Sequence, residues 1–166
     1  MKRPTFPDIE QVRQLPTSLN MTVPPEWEDR NGHVNMQHYL TLYELGGYEI
    51  LEGIDFGDAY LKVNNFGLFD LEHHIHFRAE MHIGDQVSTY NRIVALNPKR
   101  FQGVYFVLND TREQLACAIE YVTAGVYLGN RRTSPFPNDL YAGLQKILAS
   151  HQQLAWPAPL CGAMSI

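Results

Sequence analysis

The chain has 166 residues, the length of a single domain, which is enough to bury a full hydrophobic core. Hydrophobic residues make up 45% and charged residues 19%, a composition that excludes disordered and fibrous classes. Thirteen Lys and Arg against eighteen Asp and Glu give a net charge of −5, so nucleic acid is not expected as a partner.

The sequence also indicates a cytoplasmic protein with no membrane association. No apolar run approaches the ~20 residues that a membrane-spanning helix needs. Residues 1–7 carry charge but no apolar segment, so they do not resemble a secretory signal. Two cysteines, Cys117 and Cys161, are too few for a disulfide framework and favour a reducing compartment.

The first third of the chain predicts an arm, a strand and a helix. Residues 1–20 show no sustained period and predict an extended arm with at most one helical turn. Residues 21–27 predict a short strand, which two prolines confine to a sheet edge or strand end. Apolar residues at helical spacing predict a helix over 36–53, with Asn35 as its N-cap and Gly53 as its C-cap.

The rest of the chain predicts strands and a second helix. Alternation over 67–79 predicts a half-buried strand, with Phe69, Leu71, His73, Ile75 and Phe77 on one face and Asp70, Glu72, His74 and His76 on the other. Short polar connections between further strands at 86–96, 100–108 and 114–128 predict antiparallel neighbours. A second helix is expected to begin at Asn138 or Asp139, and residues 155–166 to be an irregular tail.

This order of elements predicts one domain over residues 21–154, with a sheet curled around the first helix and the second helix at its end or edge. Gly46 and Gly47 lie in the middle of the first helix, where each costs roughly 1 kcal/mol relative to Ala. Such glycines are expected where another element approaches the helix backbone closely.

Residues 29–35 bring together groups that could act on a thioester. The first N–H groups of a helix lack partners within the helix and face whatever lies in front of its start. A thioester carbonyl held there would be polarised, and Asp29 could attack it or accept a proton from water. The alternative is that Asp29 is an ordinary capping or turn residue, since Asp, Asn and Gly are common before helices.

The run Asp29-Arg30-Asn31-Gly32-His33-Val34-Asn35, followed by Tyr39, resembles the Asp-x-x-Gly-His-(Val/Met)-Asn…Tyr signature of hot-dog-fold acyl-CoA thioesterases of the 4-hydroxybenzoyl-CoA thioesterase type. Residues 77–87 are similar to the second strand, turn and entry into the third strand of that family. Residues 129–137 resemble the Arg-rich link of thioesterase-like proteins of carnitine and betaine metabolism. The resemblance covers about residues 22–154.

The resemblance implies an α+β hot-dog fold, with a five-stranded antiparallel sheet wrapped around a central helix, and an acyl-CoA thioester hydrolase. Asp29 falls at the catalytic carboxylate, as nucleophile or general base. His33, Val34 and Asn35 fall at the helix start, where backbone amides polarise the carbonyl. Some relatives place the acid on the central helix instead, which makes Glu44 the second choice.

The resemblance also implies partners. The family forms dimers or tetramers with two active sites at each dimer interface, so a homodimer or homotetramer is expected. Coenzyme A would enter as part of the substrate, with no separate cofactor. A small polar acyl group such as betainyl is favoured, because of the carnitine-type link and the polar residues near the loop.

Further residues have open interpretations. Tyr39 is a candidate to contact substrate. Arg131 and Arg132, and less so Lys99 and Arg100, could contact phosphates of coenzyme A or be solvated loop charges. His33 could orient substrate or bond to Asp29, or it could bond a backbone carbonyl.

A metal site is not expected. Strand alternation places His74 and His76 on one face and His73 on the other, and no further ligand spacing accompanies them or His82. Cys117 alternates with apolar neighbours and is interpreted as a core residue rather than a nucleophile.

Two other hypotheses compete with a thioesterase. One is a non-catalytic hot-dog domain that binds acyl-CoA or supports assembly, with Asp29 as a cap. The other is a different helix-on-sheet fold, such as a cone-shaped isomerase-like domain, although such domains usually begin with helices rather than a strand. A His-Phe-Pro run typical of hot-dog dehydratases is absent from the sequence.

Overall fold

The computed structural model describes residues 4–166, apart from the side chain of Asp58. In chain order the elements are α1 (Ile9–Val12), β1 (Thr17–Thr22), a 3-10 turn (Pro25–Trp27), α2 (Gln37–Glu52), α3 (Asp58–Asn64), β2 (Phe66–Phe77), β3 (Gln86–Leu96), β4 (Arg100–Asn109), β5 (Gln114–Tyr127), β6 (Arg132–Thr133) and α4 (Asn138–His151). None of the described helices is long and apolar enough to cross a membrane.

The strands form one antiparallel sheet in the order β1-β3-β4-β5-β2, and the two-residue β6 pairs with the end of β5. The strands predicted over 86–96, 100–108 and 114–128 are confirmed to within one residue. The helix predicted from Asn138 begins there and packs against β3. β2 lies at the edge of the sheet, so one side of its backbone has no strand beside it among the described residues.

Helix α2 packs on the concave face of the sheet and forms the main core there. Its residues Tyr39 and Leu42 are buried against apolar side chains of β4 and β5. Gly46 lies against the hydroxyl of Tyr105, which confirms the close approach expected at the glycine pair, whereas the space beside Gly47 is open.

Strand β2 contains a bulge that the sequence did not predict. Asp70 pairs with Thr123 of β5 and Glu72 with Val122, so Leu71 has no partner of its own on β5. The extra residue shifts the alternation, because side chains point to opposite faces at successive positions. Asp70 therefore lies on the α2 side together with His73, and its predicted place on the opposite face is wrong.

The outer face of the sheet is covered by the two ends of the chain. Residues of α1 and of the tail pack on β3, β4 and β5 in a second apolar cluster that includes Trp156. Arg92 of β3 lies over the Trp156 ring at 4.1 Å and donates to the Trp156 carbonyl at 2.7 Å. Buried Glu120 of β5 accepts from the backbone N–H of Cys161 at 2.6 Å. The tail has no helix or strand, and it is packed in place.

Several elements differ from the prediction, among them β2, which covers Phe66–Phe77 rather than 67–79. β1 covers residues 17–22 rather than 21–27, because the two prolines begin a 3-10 turn instead of extending the strand. α2 begins at Gln37, one residue later than predicted. The seven-residue α3 was not predicted, because so short a segment shows little apolar period.

Candidate active site

The loop before α2 is closed by its own backbone. The N–H of Asp29 donates to the carbonyl of His33 at 2.8 Å, and the N–H of Gly32 donates to the carbonyl of Asp29 at 3.0 Å. Gly32 has a φ of +81°, a conformation that glycine adopts without strain. Glu28 and Val34 form a bridge across the base of the loop. The loop therefore holds Asp29 in a defined position.

The Asp29 carboxylate is bound by its neighbours and stays ionised. Its Oδ1 accepts from the N–H of Asn31 at 2.7 Å, and its Oδ2 from the Asn31 side-chain amide at 3.2 Å. Burial raises the pKa of Asp29, but the Asn31 hydrogen bonds and the charge of nearby His33 outweigh that effect and leave the pKa below its ordinary value. Asp29 makes no hydrogen bond to an N–H group of α2 among those described, so it does not cap that helix.

The side chain of Asn35 binds an amide at the start of α2, although the N-cap position itself falls one residue later, at Met36, which makes no side-chain capping bond. The side-chain oxygen of Asn35 accepts from the N–H of Gln37 at 3.1 Å, and the Asn35 carbonyl accepts from the N–H of His38 at 3.0 Å. This bond is the normal role of Asn before a helix. It leaves the side chain of Asn35 engaged at the start of the helix.

Two of the three amides that the resemblance places at the helix start have backbone partners. The N–H of Val34 donates to the carbonyl of Met81 at 2.8 Å, and the N–H of Asn35 donates to the carbonyl of Trp27 at 2.8 Å. Both are therefore occupied. The N–H of Met36 has no hydrogen-bond partner among the described residues. Met36 was not a predicted site residue, because its free amide depends on which neighbours pair in the folded chain.

Asp29 and Met36 line the same cleft at the beginning of α2. The cleft has a volume of about 880 Å³ and extends to the end of β2 and the residues after it. It is called the Asp29 cleft below. Its lining residues are Asp29, Arg30, Asn31, His33, Val34, Asn35, Met36, Tyr39, Phe77, Arg78, Ala79 and Glu80.

His33 and Tyr39 both line this cleft. His33 Nδ1 lies 3.1 Å from the Val34 carbonyl and 3.6 Å from Asp29 Oδ1, so its hydrogen-bond contact is to the backbone. The ring of Tyr39 packs edge-on against Phe77 at 5.1 Å. Burial raises the pKa of Tyr39 to about 12, so the phenol is neutral near pH 7.

Other predicted residues lie away from the Asp29 cleft. Glu44 is exposed on α2 and borders a second cavity instead. Arg131 stacks over the ring of Phe69 on β2 at 5.5 Å. Phe69 lies eight residues, about 25 Å along the strand, from Phe77, which lines the Asp29 cleft. Arg132 is exposed in β6, at the same end of the sheet. The basic residues that line the cleft are Arg30 and Arg78, which the sequence did not single out.

The remaining histidines and Cys117 show no sign of a metal or nucleophilic site. Within the part of the chain that the structure describes, no group of three or more His, Cys, Asp or Glu could hold a metal. His74 and His76 stack at 4.5 Å, and His82 Nδ1 lies 3.1 Å from the Gly32 carbonyl. Burial raises the pKa of Cys117 to about 12, as for a thiol of the core.

Comparison with protein families decides the membership of this chain. The model of the thioesterase-like superfamily matches residues 23–144, most of the chain. The chain belongs to the thioesterase-like superfamily. The family resemblance drawn from the sequence is confirmed, and so is the predicted class of enzyme, an acyl-CoA thioester hydrolase.

Individual relatives agree with the family. A betainyl-CoA thioesterase of Pseudomonas aeruginosa is 24% identical over 146 residues, covering 88% of this chain and 92% of the relative. A Staphylococcus aureus protein solved in complex with CoA superposes with a TM-score of 0.81 at 20% identity, covering 92% of this chain and 96% of that one.

A 1,4-dihydroxy-2-naphthoyl-CoA thioesterase from Synechocystis gives a TM-score of 0.68 at 20% identity, over 84% of this chain and 97% of that one. These structures confirm the hot-dog fold, with a curled antiparallel sheet around a central helix and a further helix near the C-terminus.

Proposed function

We propose that this member of the family hydrolyses a small polar, betainyl-like acyl-CoA, with Asp29 as the catalytic carboxylate. The observation that carries the proposal is that the ionised Asp29 and Met36 line one cleft at the start of α2, and that the N–H of Met36 has no hydrogen-bond partner among the described residues. The similarity to a betainyl-CoA thioesterase supports the choice of acyl group. Coenzyme A takes part only as a portion of the substrate.

The Asp29 carboxylate and the Met36 N–H together account for hydrolysis of a thioester. The thioester carbonyl oxygen accepts from the Met36 N–H at the positive end of the α2 dipole, a bond that strengthens as negative charge develops on the oxygen. Asp29 accepts a proton from water as the water oxygen bonds to the carbonyl carbon. The carbon–sulfur bond then breaks, coenzyme A leaves as the thiol after taking that proton, and the acyl group leaves as the acid.

A covalent route uses the same residues. An Asp29 oxygen bonds to the carbonyl carbon and the thiolate leaves, which gives an acyl-aspartyl anhydride that water hydrolyses. A single turnover in heavy-oxygen water tests the covalent route. Label in the Asp29 carboxylate is expected only from the anhydride route when water attacks the aspartyl carbon. Label confined to the released acid is expected both from direct attack by water and from attack of water on the acyl carbon of the anhydride.

The test of Asp29 is Asp29→Asn assayed with a panel of short, polar and aromatic acyl-CoA esters. Loss of a general base is expected to lower kcat by about 10²- to 10⁴-fold. Asn keeps an oxygen for the Asn31 N–H, so the melting temperature is expected to change little. Glu28→Gln changes the exposed preceding carboxylate and is expected to keep full activity. Undiminished hydrolysis by Asp29→Asn would exclude the catalytic role.

A non-catalytic acyl-CoA-binding protein is the second candidate. The Asn31 contacts favour it, because both oxygens of Asp29 accept hydrogen bonds that stabilise the loop. This candidate predicts that acyl-CoA esters bind, that none in the panel is hydrolysed, and that Asp29→Asn leaves binding unchanged. Calorimetric titration beside the hydrolysis assay distinguishes the two candidates.

We further propose that two copies pair through the free edge of β2, as a homodimer or as a tetramer of such dimers. Exposed apolar side chains accompany this edge, with Leu71 at 47% and Phe77 at 51% exposure. Leu40 on the adjacent α2 and Met36 just before that helix are exposed as well. An unpaired edge strand with apolar side chains favours pairing with another strand.

Antiparallel pairing about a two-fold axis would bring the β2 end at Phe77 beside the opposite end of the other copy's strand. Arg131 and Arg132, which lie at that opposite end, would then approach the second copy's Asp29 cleft and could contact phosphates of coenzyme A.

Leu71→Lys is expected to shift the mass measured by light scattering toward the monomer. Leu160→Lys, at an exposed leucine of the tail, is expected to leave it unchanged. A monomeric wild type would exclude the pairing.

A further inference from the structure

A second cavity of about 400 Å³ lies between α2 and β2, separate from the Asp29 cleft. It is called the Asp70 cavity below. Aromatic rings form much of its wall, from Tyr43 and Tyr48 on α2, Phe101 on β4 and Tyr121 on β5. The ring of Tyr43 packs edge-on against both His73 and Tyr121, so these walls are in mutual contact. Such a wall favours apolar or cationic ligands.

The carboxylate of Asp70 reaches this cavity and is held in place. Its Oδ1 accepts from the Tyr43 hydroxyl at 3.1 Å and from the Thr123 hydroxyl at 2.5 Å. Its Oδ2 lies 3.3 Å from His73 Nε2, and the side chain remains 37% exposed. One carboxylate oxygen is therefore fixed by neutral hydroxyl groups, while the carboxylate as a whole stays open to a ligand.

The charge of the Asp70 cavity is negative. Burial raises the pKa of Asp70, but hydrogen bonds from His73, Thr123 and Tyr43 outweigh that effect and lower it. Glu44 adds a second carboxylate at the rim. No Lys or Arg is among the described residues that line the cavity, and His73 is the one lining group there that protonation would make positive.

The two cavities are neighbours along α2. Tyr39 packs on Phe77 in the Asp29 cleft, and Tyr43 packs on His73 in the Asp70 cavity, so the two contacts lie four residues apart on α2. Four residues of helix rise about 6 Å. The proposed carbonyl site at Met36 lies seven residues before Tyr43, about 10 Å along the helix axis, so an acyl chain has to extend along α2 over this distance to bring its end to the rings and the Asp70 carboxylate.

We propose that the Asp70 cavity binds a quaternary ammonium group at the end of the acyl chain, and that Asp70 with the surrounding rings selects cationic over neutral acyl groups. The inference rests on the proposed thioesterase function and adds the residue that sets its specificity. A quaternary ammonium has no N–H to donate, so aromatic faces and a nearby carboxylate charge are the groups that recognise it.

The test compares substrates that differ only in charge. Trimethylammonioacetyl-CoA (betainyl-CoA) is paired with 3,3-dimethylbutanoyl-CoA, in which carbon replaces the nitrogen. A longer pair, 4-trimethylammoniobutanoyl-CoA and 5,5-dimethylhexanoyl-CoA, samples the distance between the two cavities. Wild type is expected to favour the cationic ester of at least one pair by about tenfold or more in kcat/KM. Equal kcat/KM within both pairs would overturn the proposal.

Asp70→Asn assigns the preference to this carboxylate. It is expected to reduce the ratio of cationic to neutral kcat/KM by about tenfold, while Glu72→Gln, an exposed carboxylate on the same strand, keeps the ratio. A retained ratio in folded Asp70→Asn would overturn the proposal. If Asp70→Asn does not fold, Glu44→Gln with Tyr48→Leu alters only exposed rim positions and is expected to reduce the ratio about threefold.

A binding measurement separates this inference from the proposed function. Calorimetric titration of folded Asp29→Asn with each ester is expected to give a Kd about tenfold lower for the cationic member of the preferred pair. If wild type hydrolyses none of the esters, the thioesterase proposal fails. The same titration still shows whether the Asp70 cavity binds cationic esters more tightly than neutral ones. Equal Kd values for both members of each pair would overturn the cationic specificity alone.

Discussion

The hydroxyl of Tyr105 on β4 occupies the space that a Cβ atom would take at Gly46 of α2. The same hydroxyl donates to the carbonyl of Leu42 at 2.7 Å, one turn earlier in the helix. Gly46 thus allows the helix backbone to approach the sheet, and this approach positions α2 beside both cavities.

Gly46→Ala is therefore expected to destabilise the protein. The added methyl group would overlap the Tyr105 hydroxyl, and the free energy of unfolding is expected to fall by about 1–3 kcal/mol. Gly47→Ala is the matched control, because nothing lies within 4 Å of its Cβ position. This change is expected to raise the free energy of unfolding by up to about 1 kcal/mol through helix propensity. Equal effects of the two variants in urea denaturation would contradict the contact.

Activity is expected to persist at acidic pH. A catalytic carboxylate acts when it is ionised, and the pKa of Asp29 is below its ordinary 3.8. The kcat/KM of wild type is therefore expected to stay level from neutral pH down to the lowest pH at which the protein remains folded, as checked by circular dichroism. A decrease centred near pH 6 in folded protein would indicate that a group other than Asp29 titrates in the reaction.

Stability, in contrast, is expected to fall below about pH 6.5 because of His151. Its Nδ1 accepts from the Ile93 N–H at 2.9 Å, which requires a neutral ring. Burial, with a smaller effect from nearby Arg92, lowers the pKa of His151 to about 4. Below the unfolded-state pKa the unfolded chain takes up a proton that the folded chain does not, so stability present above pH 6.5 is lost as pH falls toward 4.

The free energy of unfolding is expected to fall by about 1.4 kcal/mol per pH unit and by about 3 kcal/mol in total. His151→Gln cannot take up this proton and is expected to flatten the dependence between pH 6.5 and 4, as measured by urea denaturation at each pH. Gln152→Ala, at the exposed residue after His151, keeps the histidine and is expected to keep the wild-type slope. A wild-type slope in His151→Gln would assign the effect to other groups.

Trp156 in the tail is expected to be necessary for stability. It is 4% exposed and covers Phe106 and Arg92 on the outer face of the sheet. Trp156→Ala is expected to lower the free energy of unfolding by about 3–5 kcal/mol, as for other buried aromatic residues. Leu160→Ala, in the same segment but exposed, is expected to stay within about 0.5 kcal/mol of wild type. Thermal unfolding of both variants measures the difference.

The sequence predicted those parts of the fold that depend on regular local patterns. Strands β3, β4 and β5 were predicted because their apolar residues run between short polar turns. The close contact at Gly46 was predicted because glycine destabilises the middle of a helix and is expected there only where another element approaches the backbone. The seven-residue α3 was missed because so short a segment shows little apolar period, and the early start of β1 was missed because its pairing with β3 decides it.

The candidate site was predicted in part. The sequence identified Asp29 and the helix start, and the structure places both at one cleft. It could not identify Met36, whose free N–H follows from the engagement of Val34 with Met81 and of Asn35 with Trp27. It placed Asp70 on the wrong face, because no residue type in β2 marks the bulge at Leu71.

That bulge has a consequence for how the strand can change by insertion and deletion. Removing Leu71 would restore an unbroken alternation, so one of the pair Asp70 and His73 would turn to the far side of the sheet. The negative charge between α2 and β2 thus depends on the presence of one residue, Leu71, which does not itself line the cavity. Shortening β2 by that residue is expected to weaken the proposed preference for a cationic group, although no lining residue is replaced.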